Sequence, residues 1–439
     1  MNNKERMDLA KWASNLAIKK GAAQSAVSVS RSRNVQVEVR EQRVETIRES
    51  TDNGLNIQIF YNQRYSSHST NNLNKAQLER FISEAVAATA YLSPDEDRLL
   101  PDASLYPTDL KVDLKLTDPR QREITPEFRL SKAMETEQLL RDGYPELLSA
   151  SASFSDNASE GVRVHSNGFE GHFANTRFST SASLTVLDKG SRPAGSFWAS
   201  TRFLSDLPDS NEIASKALFD TTRQLGQTQI QSGRYNMLLD SRIVGNFIFR
   251  MFQPMAARNI QQRNSFLLDK IDEQIGSEQF TLIDNPLLER GMASRLFDGE
   301  GIAAKPRTMI ENGILKSYYI DNYYGRKLGW TPNGGSPSNI IMKTGSRSQQ
   351  ELIAGQNKAI LVTSFNGGNA NATTGDFSFG ISGQLIENGI IVRPVNEMNI
   401  TGSFRSFWHQ LLESGNDPYP YSSVQSPTLV VRDIDFSGL

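Results

Sequence analysis

Four histidines, His68, His165, His172 and His409, and no cysteine at all make up the nitrogen and sulfur ligands of this chain. The missing cysteines remove thiolate nucleophiles, disulfides and every cysteine-ligated zinc or iron–sulfur site. His165 and His172 fall on predicted strands flanking Ser166-Asn167-Gly168, so a hairpin could bring them together. No aspartate or glutamate stands at a metal-motif spacing from either, and a surface or half-buried histidine pair is the plainer expectation. His409, beside Phe407 and Trp408, reads as a packing or hydrogen-bonding residue.

The remaining chemistry lies in carboxylates and hydroxyls on glycine-flanked turns. Asp298 and Glu300 sit in Phe297-Asp298-Gly299-Glu300-Gly301, and Asp376 sits with Thr374 and Ser378 in Thr374-Gly375-Asp376-Phe377-Ser378. A carboxylate in such a turn either caps backbone N–H groups or projects into a cleft for acid–base work, and capping is the commoner outcome. No Gly-x-Ser-x-Gly elbow precedes a helix. Asn333-Gly334-Gly335 and Asn366-Gly367-Gly368-Asn369 lack the Gly-Lys-Ser/Thr end of a phosphate loop and read as turns or cleft rims. These patterns identify no catalytic residue, no metal-ligand set and no cofactor.

The elements that must hold these residues fall into three units, at residues 1–115, 116–230 and 231–439. In the first, Leu9, Trp12, Ala13, Leu16 and Ala17 share one helical face that Gly21 ends. Period-two alternation then predicts strands at Ala26–Ser30, Val35–Val39, Val44–Ser50 and Leu55–Tyr61, antiparallel with one wet face. Asn74 caps a second helix whose buried side carries Leu78, Phe81, Ile82, Ala85 and Val86. Prolines at 94, 101, 107 and 119 mark a surface connection.

The second unit repeats this order, with helices at Phe128–Leu140 and Asn211–Leu225 around strands at Leu147–Phe154, Val162–His165, Phe169–Ala174 and Ser179–Leu187. In the third, a short strand at Met237–Leu239 and a helix precede β-rich runs. Asn312-Gly313 and Asn388-Gly389 are hairpin signals, because a type I′ turn needs positive φ at both central residues. The fold class is α+β: two N-terminal helix and antiparallel-strand units, then a large β-rich domain with a curved antiparallel sheet.

At 439 residues the chain exceeds one ordinary core, and 38% hydrophobic with 22% charged residues is the composition of a globular protein. No apolar run approaches the roughly 20 residues that span a bilayer, and the charged start lacks the apolar core of a secretion signal. A cytoplasmic protein with no membrane span is expected. A net charge of −2 with interspersed signs gives no footprint for phosphate backbones, so direct nucleic-acid binding is not expected.

Taken in order, Ser265-Phe266-Leu267, Asp298-Gly299-Glu300-Gly301, Asn312-Gly313-Ile314-Leu315, Thr374-Gly375-Asp376-Phe377-Ser378 and Ile386-Glu387-Asn388-Gly389 resemble the TldD/PmbA family. These are bacterial and archaeal proteins often labelled modulators of DNA gyrase and grouped with zinc metalloproteases. The likeness spans nearly the whole chain and is most specific in the third unit. In the catalytic branch of that family, a helix just before the Ser265-like position carries His-Glu-x-x-x-His, and a cysteine near the C-terminus completes the zinc site.

Here the corresponding stretch, Arg242 to Arg258, contains neither histidine nor glutamate. Ile243, Val244, Phe247, Ile248, Met251, Phe252 and Met255 instead fall at helical spacing behind an N-cap at Asp240 or Ser241, which predicts a buried helix. A catalytic zinc needs about three protein ligands and an open position for water, and this helix supplies none.

The resemblance therefore implies a metal-free PmbA/TldE-like subunit that joins a zinc-bearing TldD-like subunit in a hetero-oligomer acting on unfolded peptides. Asp298, Glu300, Thr374, Asp376 and Ser378 are then the candidates to face its chamber. A stand-alone homodimer that binds peptides as a scaffold, and a divergent peptidase with an unrecognised site, are the alternatives.

Overall fold

Polar residues that look like strand breaks lie inside long, unbroken strands. The computed structural model describes residues 1–439, and its first unit is α1 (Asn3–Lys19), β1 (Gln24–Arg40), β2 (Arg43–Tyr61), β3 (Arg64–Thr70) and α2 (Lys75–Thr89). The second unit repeats the order with α3 (Pro126–Gly143), β4 (Leu147–His165), β5 (Glu170–Val186), β6 (Ala194–Thr201) and α4 (Ser210–Thr222). Both belong to one antiparallel sheet, β3-β2-β1-β4-β5-β6, joined where β1 pairs with β4 from Ala26↔His165 to Arg40↔Ser151.

One face of this sheet is covered by the helices. Leu9, Ala13 and Ala17 of α1 and Leu78 and Ile82 of α2 pack on Val27, Val29, Leu55, Ile57, Val162 and Val164. Leu140 of α3 and Ile213 and Ala217 of α4 pack on Ala150, Ala182 and Leu184. The opposite face is rich in serine. Hydroxyls bridge neighbouring strands there, with Ser32 to Ser159 at 3.0 Å, Ser153 to Ser181 at 2.8 Å and Ser179 to Ser200 at 2.6 Å.

The polar middle of β4 survives on the helix-covered face because each flanking helix brings it an arginine. Asp156 accepts from Arg129 of α3 at 2.5 and 3.1 Å and from Gln121 at 2.9 Å, while Arg6 of α1 meets Glu160 at 2.5 Å. Arg129 and Asp156 are only 2% and 1% exposed, so the pair is dry and joined by two hydrogen bonds.

The prolines after α2 suggest a surface connection, and most of residues 92–120 are indeed exposed, but the segment is also pinned to both the sheet and the third unit. Leu105 O accepts from Ala303 N, Leu114 O from Arg290 N and Leu116 O from Thr176 N, all at 2.8–2.9 Å. Leu100 and Leu114 are buried in consequence. A proline-rich segment cannot make a regular ladder, yet its isolated carbonyls still pair with both neighbours.

In the third unit β7 (Gly233–Leu239) runs parallel to β12 (Lys358–Ala370) and antiparallel to β17 (Leu429–Ser437). The sheet order is β14-β13-β12-β7-β17-β15, with β13 at Asp376–Glu387, β14 at Ile390–Ser403 and β15 at Leu411–Ser414. β14 also pairs with β17 at Asn399–Thr401, so the sheet curls almost shut. A smaller sheet, β10-β9-β8-β11-β16, is built from Ile314–Leu315, Arg307–Glu311, Leu282–Asp284, Ile340–Met342 and Val424–Gln425. Both Asn-Gly turns have the expected positive φ, 47° and 79° at Asn312-Gly313 and 51° and 78° at Asn388-Gly389.

Across the curl lie α5 (Ser241–Phe252) and α6 (Ala257–Gln261), with α9 (Phe404–Phe407) turning Phe404 and Phe407 into the same core; α7 (Asn322–Leu328) and α8 (Gln349–Ala354) complete the unit. Val244, Phe247, Ile248 and Met251 of α5 are fully buried in the largest core of the molecule. No helix is long and apolar enough to cross a membrane.

Removing one partner of the dry pair leaves the other charge uncompensated. Asp156→Ala is expected to lower the unfolding free energy by about 3–5 kcal/mol, measured by urea titration, whereas Glu84→Ala, in the exposed Arg80–Glu84 pair, should cost far less. Equal losses for the two variants would contradict this account of the strand.

Candidate functional site at the domain junction

The Phe297–Gly301 motif forms a tight turn driven against the tip of the β4–β5 hairpin. Asp298 Oδ1 accepts from Glu300 N at 2.8 Å and from Ile302 N at 3.0 Å, the capping role expected of a turn carboxylate. Gly301 has φ +77°, and a Cβ there would lie 2.9 Å from His165 Cε1. Phe297 packs edge-on against Phe169 at 5.0 Å between ring centroids, and a side chain at Gly171 would collide with both rings. Arg163 Nη1 donates to Gly299 O and ties the turn to the sheet.

Glu300 reaches past this turn and accepts from Asn322 N, at the start of α7, at 2.8 Å. Asn322 Nδ2 in turn donates to Leu99 O at 2.7 Å, and Tyr323 OH donates to Asp95 Oδ2 at 2.5 Å. On the hairpin side, Tyr106 OH lies 3.0 Å from His165 Nδ1 and donates to Asn167 Oδ1 at 2.8 Å. His165 Nε2 is buried without a partner. Asp298 and Glu300 are thus gathered with His165, Tyr106, Asn167, Arg163 and Asn322, all contributed by other segments of the chain.

Burial, reinforced by Asp298 and Asp321 and opposed by the Asn322 N–H, raises the Glu300 carboxyl to about 7. Burial, with a smaller push from Arg163, depresses His165 to about 3. Burial also moves the Tyr106 hydroxyl up to about 12. The cluster therefore holds a neutral imidazole and a carboxyl that exchanges its proton near neutrality.

Thr374, Asp376 and Ser378 occupy a different turn, at the exposed β12–β13 rim. Asn371 Oδ1 accepts from Thr373 N at 2.8 Å and Thr374 N at 3.3 Å, Thr374 Oγ1 accepts from Asp376 N at 3.3 Å, and Arg405 Nε donates to Thr374 O at 2.8 Å. No hydrogen bond links them to Asp298 or Glu300. The two histidines do not meet either. His172 pairs with Val162 in the ladder, so its side chain leaves the sheet on the face opposite to that of His165.

Nothing on α5 fits a metal. Asp240 Oδ1 caps the helix by accepting from Arg242 N at 3.0 Å, and the Arg242 side chain occupies Asp240 and Asp220. Inward positions carry Phe247, ringed by Phe365, Phe377, Phe379, Phe404 and Phe407 at 4.8–5.5 Å, and Met251, whose sulfur accepts from Trp408 Nε1 at 3.2 Å. Nowhere do three or more histidine, cysteine, aspartate or glutamate side chains gather in an arrangement able to hold a metal ion. The donor set that zinc requires does not exist along this helix.

The two shifted groups at the junction act on stability with opposite signs. From about pH 4.5 to 7 the folded state holds the Glu300 proton that the unfolded chain has lost, so this group alone makes stability fall as pH rises. From about pH 3 to 6.5 the unfolded chain binds the His165 proton that the folded state refuses, so this group alone makes stability rise with pH. The two largely cancel between about pH 4.5 and 6.5. Glu300→Gln should therefore lose stability on acidification across this window and His165→Gln should gain it, each by on the order of 1–3 kcal/mol in urea titrations at stepped pH. Parallel slopes in the two variants would refute the assignment.

The chain matches models of three domains of one family: PmbA/TldA metallopeptidase domain 1 at residues 26–89, the central domain at 119–225 and the C-terminal domain at 232–438. Metalloprotease PmbA of Escherichia coli O157:H7 is 26% identical over 94% of this chain and 92% of its own length. A Bacteroides thetaiotaomicron protein, solved as a candidate modulator of DNA gyrase, is 39% identical over the full length of both chains, with a TM-score of 0.97. TldE from Thermococcus kodakarensis shares the fold, with a TM-score of 0.85 at 18% identity over 98% of this chain and all of its own. With all three domains matched in order, the chain belongs to the PmbA/TldA metallopeptidase family.

Proposed function

We propose that this chain is the metal-free, non-catalytic subunit of a two-subunit peptidase, pairing with a zinc-bearing TldD-like relative and helping to hold unfolded peptides for it. The observation that carries this reading is α5. The chain's relatives are named metalloproteases, yet the inward face of α5 is Val244, Phe247, Ile248 and Met251 set among phenylalanine rings, with no imidazole or carboxylate to bind a metal. Neither a metal to lower the pKa of water nor a glutamate to take its proton is available along that helix.

The β12–β13 rim suits the peptide-holding role. Thr374, Asp376 and Ser378 stand exposed there, next to an open groove of about 400 Å³ lined by Gln253, Asn259, Asn264, Asn369, Asn371 and Thr373. Side-chain amides donate and accept without regard to a peptide's charge, which suits recognition of main chain over sequence. In this reading Asp298 and Glu300 face the same chamber from the domain junction.

Co-expression with a zinc-bearing relative from the same source tests the proposal. A stable mixed complex that cleaves an unfolded protein such as reduced casein, and stops when chelator is added, is expected, with no turnover by the lone chain. A tight homodimer that ignores the relative, or chelator-insensitive turnover by the lone chain, would sink it.

A further inference from the structure

Between the 110–117 segment, the open face of the β4–β5 hairpin and the 294–299 turn lies a cavity of about 440 Å³, within the range of small-ligand sites. Leu110, Leu114, Phe173, Leu296 and Phe297 give it apolar walls. Gly161 makes room for one of them, because a Cβ there would lie 2.6 Å from the Phe173 ring.

Arg163 lines this cavity with donors to spare. Its Nη1 is spent on Gly299 O, but Nε and Nη2 have no acceptor in the protein, and its guanidinium forms no ion pair. The second lining arginine, Arg295, donates from Nη1 and Nη2 to the carbonyls of Ser336 and Pro337, while its Nε is buried without a partner. Burial pulls both guanidinium groups below their usual range, against the opposing influence of Asp298 and Glu300 on Arg163 and of Asp284 and Asp298 on Arg295.

The two acidic groups in the lining each spend one oxygen on backbone N–H groups. Asp298 Oδ1 holds two backbone N–H groups and Asp113 Oδ1 accepts from Lys115 N at 2.8 Å. Along the rim, the N–H and C=O of Leu110 and Val112 bond to no other protein group.

We propose that this cavity binds the free carboxyl end of an apolar peptide, with the terminal carboxylate on Arg163, the side chains against the apolar walls and the peptide amides against Leu110 and Val112. A single negative charge suits one free guanidinium flanked by Asp298 and Asp113, whereas a phosphate dianion would meet repulsion from both. A fatty acid supplies the carboxylate but has no amides for the open main chain. The proposal shares with the proposed function only the peptide nature of the ligand. It is tested on the lone chain, so it stands or falls without the zinc-bearing partner.

Isothermal titration of the full chain with acetyl-Leu-Leu-Phe as the free acid, the same peptide as its C-terminal amide, and octanoate decides the matter. The acid should bind, the amide and octanoate at least about tenfold more weakly, and Arg163→Gln should weaken the acid by about tenfold, its unfolding midpoint being measured in parallel because the same guanidinium holds Gly299 O. Equal affinity for acid and amide, octanoate matching the acid, or no binding of the acid at millimolar concentration would overturn the proposal. Should Arg163→Gln lower the midpoint, Leu110→Asp on the half-buried rim takes its place: weaker binding of the acid supports the site, and unchanged affinity refutes it.

Discussion

A helix laid across a nearly closed sheet has no freedom in what its inward positions carry, and α5 of this chain is held to that constraint from every side. Phe247 is ringed by five other phenylalanines, Ile248 and Val244 are fully buried, and the indole of Trp408 hydrogen-bonds to the Met251 sulfur. A polar ligand set at these positions would need water, metal or partners to offset its desolvation, and the surrounding rings offer none. The β-rich unit is therefore organised around an apolar helix. The proposed metal-free role rests on that packing.

The N-terminal sheet solves the opposite problem, since its middle is polar and must still be covered. Arg129 and Arg6, one from each repeated unit, neutralise Asp156 and Glu160 on the helix face, and serine hydroxyls bridge the strands on the other. The result is a broad platform whose hairpin tip, at His165 to Phe169, is precise enough to receive a turn from another domain. Glycines 171 and 301 permit the contact, and Arg163, Glu300 and Asn322 fix it through main-chain groups. The intervening segment is clamped between the two, which makes the domain junction a packed interface.

Much of this was legible in the residues because it rests on local rules. The apolar face of α5, the Asn74 cap, which accepts from Ala76 N and Gln77 N, and both Asn-Gly turns follow from spacing and φ preference alone. The repeated helix and strand order was readable for the same reason. What escaped is non-local. β1 and β4 continue through Arg31–Asn34 and Ser155–Glu160 only because both edges are paired, which no single-strand pattern reports. β3 was missed because the turn before it uses Asn62 and Gln63 at positive φ, without a glycine to mark it. Asp298 and Glu300 stood out by their motif, but Tyr106, Asn167, Arg163 and Asn322 reach them from segments whose approach depends on the assembled fold. The linker's attachment to both neighbouring units was hidden by its prolines, which break regular structure without deciding which groups the chain will meet.

The central claim is that α5 is a packing element with no capacity for metal, and zinc binding to the isolated chain addresses it directly. Chain stripped with chelator, exposed to stoichiometric zinc and passed through gel filtration should retain no metal and unfold at the same temperature as before. A ligand bound only by the folded state must raise that temperature. Retention of an equivalent of zinc with a raised unfolding midpoint would contradict the account.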